Sequence, residues 1–242
     1  MKIYAVGLGP GDAEHLTPRA RQAIEQSDVI VGYTGYIALI KELAMGKEII
    51  STGMKGEVQR CKAAVEEALK GKQVCVVSSG DAGVYGMAAL LYELAEGHPG
   101  LEIEVLPGIT AAVSAAAVLG SPLTNDFAVI SLSDLLTPWQ VIENRLDVCG
   151  AAGLVLCLYN PRSNKRSDYL EKACEIVLRH RPADTMCGFV KNAFRGENCE
   201  SCLCTLGELS KAKVDMFTTV IIGNSDTKVI NGRLVTVRGY TV

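Results

Sequence analysis

Three glycine-rich runs carry the residues best placed to handle a ligand: "VGLGPGD" at 6–12, "SSGDAGVYG" at 78–86 and "LPGITAA" at 106–112. Each follows an apolar run of strand length, so each leaves a buried strand at its carboxyl end, where open α/β sheets bind ligands. Glycines there let backbone groups approach a ligand closely. The first run departs from a phosphate cradle. A dinucleotide fingerprint needs a third glycine, and Asp12 stands in its place. The next helix, capped by Thr17 with Pro18 behind it, starts too late for its N-terminus to meet a pyrophosphate. No Gly-Lys-Ser/Thr follows, which excludes a P-loop. By itself the run also fits a tight structural turn. Asp81 offers a carboxylate to an ammonium or a hydroxyl, or else caps the helix behind it; both readings stay open.

A second group is cationic. "NPRSNKR" places Arg162, Lys165 and Arg166 just after a strand end. Cations are unfavourable in a first helical turn, so three together favour a ligand contact, with a solvated helix N-terminus as the alternative; guanidinium groups suit bidentate carboxylate contacts. Lys55 and Arg60 in "GMKGEVQRC", and Arg195, are weaker candidates of the same kind. The third group is Cys199, Cys202 and Cys204. With a fourth ligand they could hold zinc or an iron–sulfur cluster. No second Cys-x-x-Cys completes the set, and strand alternation puts 202 and 204 on one face and 199 on the other. An ordinary strand is the simpler reading. His15, His98 and His180 read as surface residues.

The elements that must position these groups follow from periodicity. In the N-terminal half, strand patterns ("KIYAVGL", "DVIVG", "KEIIS", "QVCVVSS", "LEIEVL") alternate with helical ones (18 onward, 34–44, 57–70, 84–96, 110–120). In the helix at 57–70, Val58, Cys61, Val65, Ala68 and Leu69 share one face. After Gly120-Ser121-Pro122 the pattern restarts. Pro138 opens a helix, another covers 166–179, "MCGFV", "CESCLCTL" and "MFTTVIIG" read as strands, and "KVINGRLVTV" reads as a hairpin around Asn231-Gly232. This predicts an α/β chain of two domains, 1–120 with a mostly parallel sheet and 121–242 with a mixed one.

The 242 residues suffice for two such cores, and a net charge of −3 gives no global attraction to nucleic acid or an anionic membrane. No signal peptide opens the chain. The uncharged stretch Val105–Asn125 is about as long as a membrane span, but Pro107-Gly108 breaks it into a strand end and an alanine-rich helix. Nine cysteines scattered through strands and helices, without a secretion signal, read as reduced core residues of a cytoplasmic protein.

The three glycine loops together, with "LYNPRSNKR" and "TTVIIGNS", resemble the tetrapyrrole (corrin and porphyrin) methylases over essentially the whole chain. "SLSDLLTPWQVIENRL" with "LYNPRSNKR" most resembles the members that methylate C17 of a precorrin-3 or cobalt-precorrin-3 intermediate, with ring contraction, in cobalamin synthesis. The resemblance implies a homodimer of two α/β domains that binds S-adenosyl-L-methionine in the cleft between them, and an acidic tetrapyrrole substrate. By motif it implies that Pro10 borders the substrate side of the cofactor. Gly80, Asp81, Val84, Thr110 and Ala111 would contact the cofactor, and Asn160 and Ala193 would close it from the second domain. Ring contraction would use acid/base help, for which Asp12, Lys55 and Tyr85 are the candidates. Methylation at another tetrapyrrole position, or of a protein in diphthamide synthesis, remains an alternative. So does a dinucleotide-binding dehydrogenase or sensor, against which Asp12 and the late helix start argue.

Overall fold

Along strand β1 (Lys2–Gly7), Ile3 and Ala5 turn to one side and Tyr4 and Val6 to the other, all of them buried. A strand buried on both faces must be central and covered by helices on both sides. The computed structural model, which describes residues 1–163 and 166–241, places it so. The chain divides into two compact units, Met1–Thr110 and Ala111–Val242.

The first unit runs β1, α1 (Pro18–Gln26), β2 (Val29–Tyr33), α2 (Thr34–Leu39), β3 (Glu48–Thr52), α3 (Glu57–Leu69), β4 (Gln73–Ser78), α4 (Ala88–Ala95) and β5 (Glu102–Leu106). Its sheet has the order β3-β2-β4-β1-β5 and is parallel throughout. One face packs residues of α1 and the segment 36–44, the other residues of α3 and α4. Thr17 caps α1, its hydroxyl accepting from the Ala20 amide at 3.2 Å. The other end of α1 is closed by Lys47, whose ammonium donates to the carbonyls of Glu25 and Ser27 at 2.6 and 2.7 Å, as suits the negative end of a helix.

Two helical expectations shift. The α2 helix stops at Leu39 rather than continuing to 44. In α3, Val58 and Leu69 are exposed, and the buried face is Arg60, Cys61, Ala64, Val65, Glu67 and Ala68. Burying Arg60 rotates the stripe. Its guanidinium donates to the Thr52 hydroxyl and the Gly53 carbonyl and pairs with Glu57. Arg60 therefore fastens the β3–α3 loop and is not the ligand contact its position in the sequence suggests.

The second unit contains α5 (Ala111–Leu119), β6 (Gly120–Ser121), β7 (Phe127–Ser131), α6 (Trp139–Ala151), β8 (Val155–Tyr159), α7 (Tyr169–Leu178), β9 (Met186–Lys191), β10 (Glu200–Thr205), α8 (Leu206–Leu209), β11 (Thr218–Ile222), β12 (Thr227–Ile230) and β13 (Arg233–Thr236). Its five-stranded sheet, β10-β9-β11-β8-β7, is mixed: β7 and β8 are parallel and the other pairs antiparallel. The β12–β13 hairpin turns at Asn231 and Gly232, both with positive φ (49° and 75°), as a tight two-residue turn demands. The α5 helix precedes the restart at Gly120, yet it packs in this unit. Ala112, Ala115, Ala116 and Leu119 bury against Val155, Cys157, Val190, Ile221 and Leu234.

No helix among the described residues is long and apolar enough to cross a membrane.

Candidate active site

In the first unit the loops after β4, β1 and β5 leave neighbouring strands at the same sheet edge, and the backbone draws them together. Gly9 and Gly80 exchange hydrogen bonds, N to O at 3.0 Å and 2.7 Å, and the Leu8 amide donates to Ser78 at 2.9 Å. Gly7 and Gly108 abut. A Cβ on Gly108 would lie 2.2 Å from the Gly80 carbonyl oxygen and 2.7 Å from the Gly7 carbonyl carbon, and a Cβ on Gly7 would lie 2.6 Å from the Gly108 nitrogen. Only glycine permits that approach. Asp81 ties the loops with both oxygens: Oδ1 accepts the Gly83 amide at 2.7 Å and Oδ2 the Gly108 amide at 3.0 Å.

A phosphate cradle offers unspent amides. Here the amides of Leu8, Gly9, Gly80, Gly83 and Gly108 are spent on protein oxygens, and Pro10 has none. Residues 7–12, 78–86 and 106–110 contain no lysine or arginine and two carboxylates, Asp12 and Asp81. The charge suits a cationic ligand and opposes a phosphate.

The loops thus gather Pro10, Gly80, Asp81 and Thr110 in one region, with Val84 and Tyr85 exposed on the β4–α4 loop. Tyr85 has a positive φ of 53°, a costly conformation for a bulky side chain and one that concentrates at functional sites. Lys55 lies elsewhere, in the loop after β3, which β2 separates from β4. His15 departs from the surface reading. It is half-buried, and its ring Nδ1 lies 2.7 and 2.8 Å from the two oxygens of Asp12.

The second unit gathers the remaining candidates. The Ala112 amide, one residue past Ala111 in the first turn of α5, donates to the Tyr159 hydroxyl at 2.7 Å. Tyr159 and Ala193 pack against the same apolar cluster as Ala112. Asn160, next to Tyr159, has a φ of 53°, and its amide donates to the Ser131 hydroxyl at 2.9 Å. Arg166 is engaged by the protein: its Nε donates to Ser163, its Nη1 to Ser133, and it lies 3.6 Å from Asp134. Asp134 also accepts from the Tyr169 hydroxyl at 2.7 Å, which raises the phenol above its ordinary pKa. Arg162 differs, because its buried Nε has no hydrogen-bond partner among the described residues. Lys165 lies outside the described residues. Arg195 sits half-buried at the start of the short turn before β10.

The cysteine run forms no ligand set among the described residues, where no group of three His, Cys, Asp or Glu side chains could hold a metal ion. Cys199 packs toward the α5 face and Cys204 toward the opposite face, while Cys202 is exposed. Burial pushes the Cys204 thiol up to about 11.

A model of the Tetrapyrrole (Corrin/Porphyrin) Methylases matches residues 2–209. The chain belongs to that family. Among its tetrapyrrole-methylase relatives, a probable cobalt-factor III C(17)-methyltransferase of Salmonella typhimurium is 44% identical over 99% of this chain and 100% of its own length. A cobalt-factor III methyltransferase of Priestia megaterium is 45% identical over 99% of this chain but only 45% of its own length, so the chain spans less than half of that relative. The crystal structure of the methyltransferase CobJ superposes with a TM-score of 0.89 at 35% identity, covering 98% of this chain and 99% of that one. Tyr159, Ser131, Ser133 and His15 escaped the sequence reading. Only the Asp12-x-x-His15 spacing offered a signal.

Proposed function

We propose that this chain is an S-adenosyl-L-methionine-dependent C-methyltransferase that acts at C17 of a cobalt-factor III or precorrin-3 type tetrapyrrole, with ring contraction, in cobalamin synthesis. The observation that carries the donor is the glycine-lined meeting of the three loops, free of lysine and arginine, with the amides of Leu8, Gly9, Gly80, Gly83 and Gly108 spent on protein oxygens. The names of the relatives in Salmonella and Priestia support the substrate and favour its cobalt form.

In this reading Pro10, Gly80, Asp81, Val84 and Thr110, with Ala111, Asn160 and Ala193 from the second unit, hold the methyl donor. The donor supplies a methyl group on a sulfonium, which is already a good leaving group. The protein's share is to align the reacting carbon with that methyl and to exclude water. Asp81 holds the loops in register through its two backbone contacts. Arg162 and Lys165 receive substrate carboxylates, while Arg166, engaged by Ser163 and Ser133, holds the segment that carries them. Asp12, Lys55 and Tyr85 are the candidates for proton transfer in ring contraction, with Asp12 and Tyr85 on the gathered loops. A cytoplasmic homodimer is the expected working form.

The test is incubation with C20-methylated tetrapyrrole precursors, with and without cobalt, and isotopically labelled S-adenosyl-L-methionine, followed by mass analysis. A labelled, C17-methylated, ring-contracted product is expected. Methylation of a different position only would transfer the assignment to a sister reaction. Calorimetric binding of NAD with no binding of S-adenosylhomocysteine would overturn the reading.

A further inference from the structure

We propose that His15 is the positioning residue for Asp12, and that the two act as one proton-transfer unit on the loop after β1. The inference rests on the methyltransferase reading above.

A carboxylate in a turn commonly accepts one backbone amide three residues on or nearer. Asp12 does this, since the His15 amide donates to Oδ1 at 2.8 Å. The ring contact is additional. His15 Nδ1 lies 2.7 Å from Oδ1 and 2.8 Å from Oδ2, bridging both oxygens of the same carboxylate. An ionised carboxylate only accepts, so the contact assigns the ring hydrogen to Nδ1. Ordering an imidazole over a carboxylate adds nothing that the turn itself requires.

The surroundings favour a working role. Asp12 lines a cavity of about 360 Å³ with Leu8, Gly11, Leu16 and the segment 38–43. Three other charged side chains line that cavity: Arg21 from α1, and Lys41 and Glu42 from the segment after α2. Arg21 donates to the Ala13 carbonyl at 3.4 Å, and the His15 ring contacts the Asp12 carboxylate. The carboxylate is therefore held by the histidine while two cations stand on the same walls. Of the roughly four acceptor positions on a carboxylate, Oδ1 commits two and Oδ2 shares one ring hydrogen, so Oδ2 keeps capacity. A proton leaving the bound substrate goes to that Oδ2 lone pair, and the electrons of the broken bond stay on the substrate. Asp12 later releases the proton to water, which reaches it because its side chain is 31% exposed. Locking the carboxylate in one rotamer spares the reaction a search over orientations.

The test compares His15→Ala, His15→Asn and His15→Phe in the full-length protein, alone and with Asp12→Asn. Turnover, melting temperature and S-adenosylhomocysteine affinity are measured for each. His15→Ala is expected to lower kcat by about 10–100-fold, the scale of a misplaced catalytic group, with KM and S-adenosylhomocysteine affinity within about twofold. His15→Asn, whose side-chain amide can donate to the same carboxylate, should recover much of the loss. His15→Phe fills the ring's space without a donor and should not recover it; it also stands in if the alanine variant fails to fold. In the Asp12→Asn background His15→Ala should cost little more. An unchanged kcat, a change confined to KM, or a full second loss on top of Asp12→Asn would each overturn the inference while leaving the methyltransferase reading intact. Wild-type protein that methylates no tetrapyrrole would overturn both.

Discussion

Oδ2 of Asp81 accepts the amide of Gly108 at 3.0 Å, joining two loops 27 residues apart in sequence. Its other oxygen accepts from Gly83, so both faces of the carboxylate meet N–H donors. Asp81→Asn keeps one acceptor and turns an NH₂ toward an amide. An unsatisfied, opposed donor costs about 1–3 kcal/mol. Calorimetry should find S-adenosylhomocysteine bound about 5- to 140-fold more weakly, since about 1.4 kcal/mol is a factor of ten. Unchanged affinity would show that the loop junction does not shape the cofactor site.

Gly108→Ala should be more severe. The new methyl meets main-chain atoms of Gly80 and Gly7, neither of which can rotate away. Overpacking of this kind costs about 1–3 kcal/mol or more, and relief requires the loops to part. Expected are a lower midpoint in urea denaturation and loss of cofactor binding. A variant that binds as the wild type does would mean that the loops separate without consequence.

The two arginines after β8 should behave differently. Arg166 joins Ser133 and Ser163, and lysine cannot reproduce a forked contact. Arg166→Lys and Arg166→Ala should both lower stability, by about 1–3 kcal/mol for lost charged hydrogen bonds. Arg162→Ala should leave the denaturation midpoint nearly unchanged and raise KM for the tetrapyrrole several-fold. The opposite pattern would exchange their roles.

Alkaline stability should depend on buried thiols. Burial pushes Cys157 and Cys174 up to about 12, whereas an unfolded thiol titrates near about 8.5. Above that value the unfolded chain loses protons that the native state retains. Their contribution is therefore fully present below about pH 8.5 and is lost as pH rises toward 12, by about 1.4 kcal/mol per unit for each thiol. Between pH 8 and pH 10, wild type should lose about 2 kcal/mol more in urea titrations than Cys157→Val. Equal losses would place that thiol in contact with water.

The fold was legible where a local signal sufficed. The unbroken apolar run Ile3–Val6 specifies a doubly covered strand, Thr17-Pro18 a helix start, and Asn231-Gly232 a hairpin turn. It was not legible where a charged side chain is buried. Arg60 and Glu67 face inward on α3, Glu67 answered by Lys70 and Lys72, and hydrophobicity alone assigns that stripe to Val58 and Leu69. At the site, the three glycine loops stood out because close backbone approach demands glycine. The His15–Asp12 contact did not, because in an aperiodic loop the Asp12-x-x-His15 spacing is only a weak signal that the two side chains meet. Arg166 looked like Arg162 in sequence. Only its partners Ser133 and Asp134, on a distant segment, distinguish it.

The place of β1 has a consequence for the chain during its synthesis. Lys2 pairs with Gln73 on one side and Glu102 on the other, so β1 precedes both of its neighbours in the chain and has neither until most of the unit has been translated. At about 5–20 residues per second, that leaves the apolar segment Ile3–Val6 waiting for seconds with both edges open. Chaperone capture of the nascent Ile3–Val6 segment is most useful in that interval. Pairing of β1 with both β4 and β5 brings the three glycine loops together, so a ribosome-bound chain ending before β5 lacks that junction.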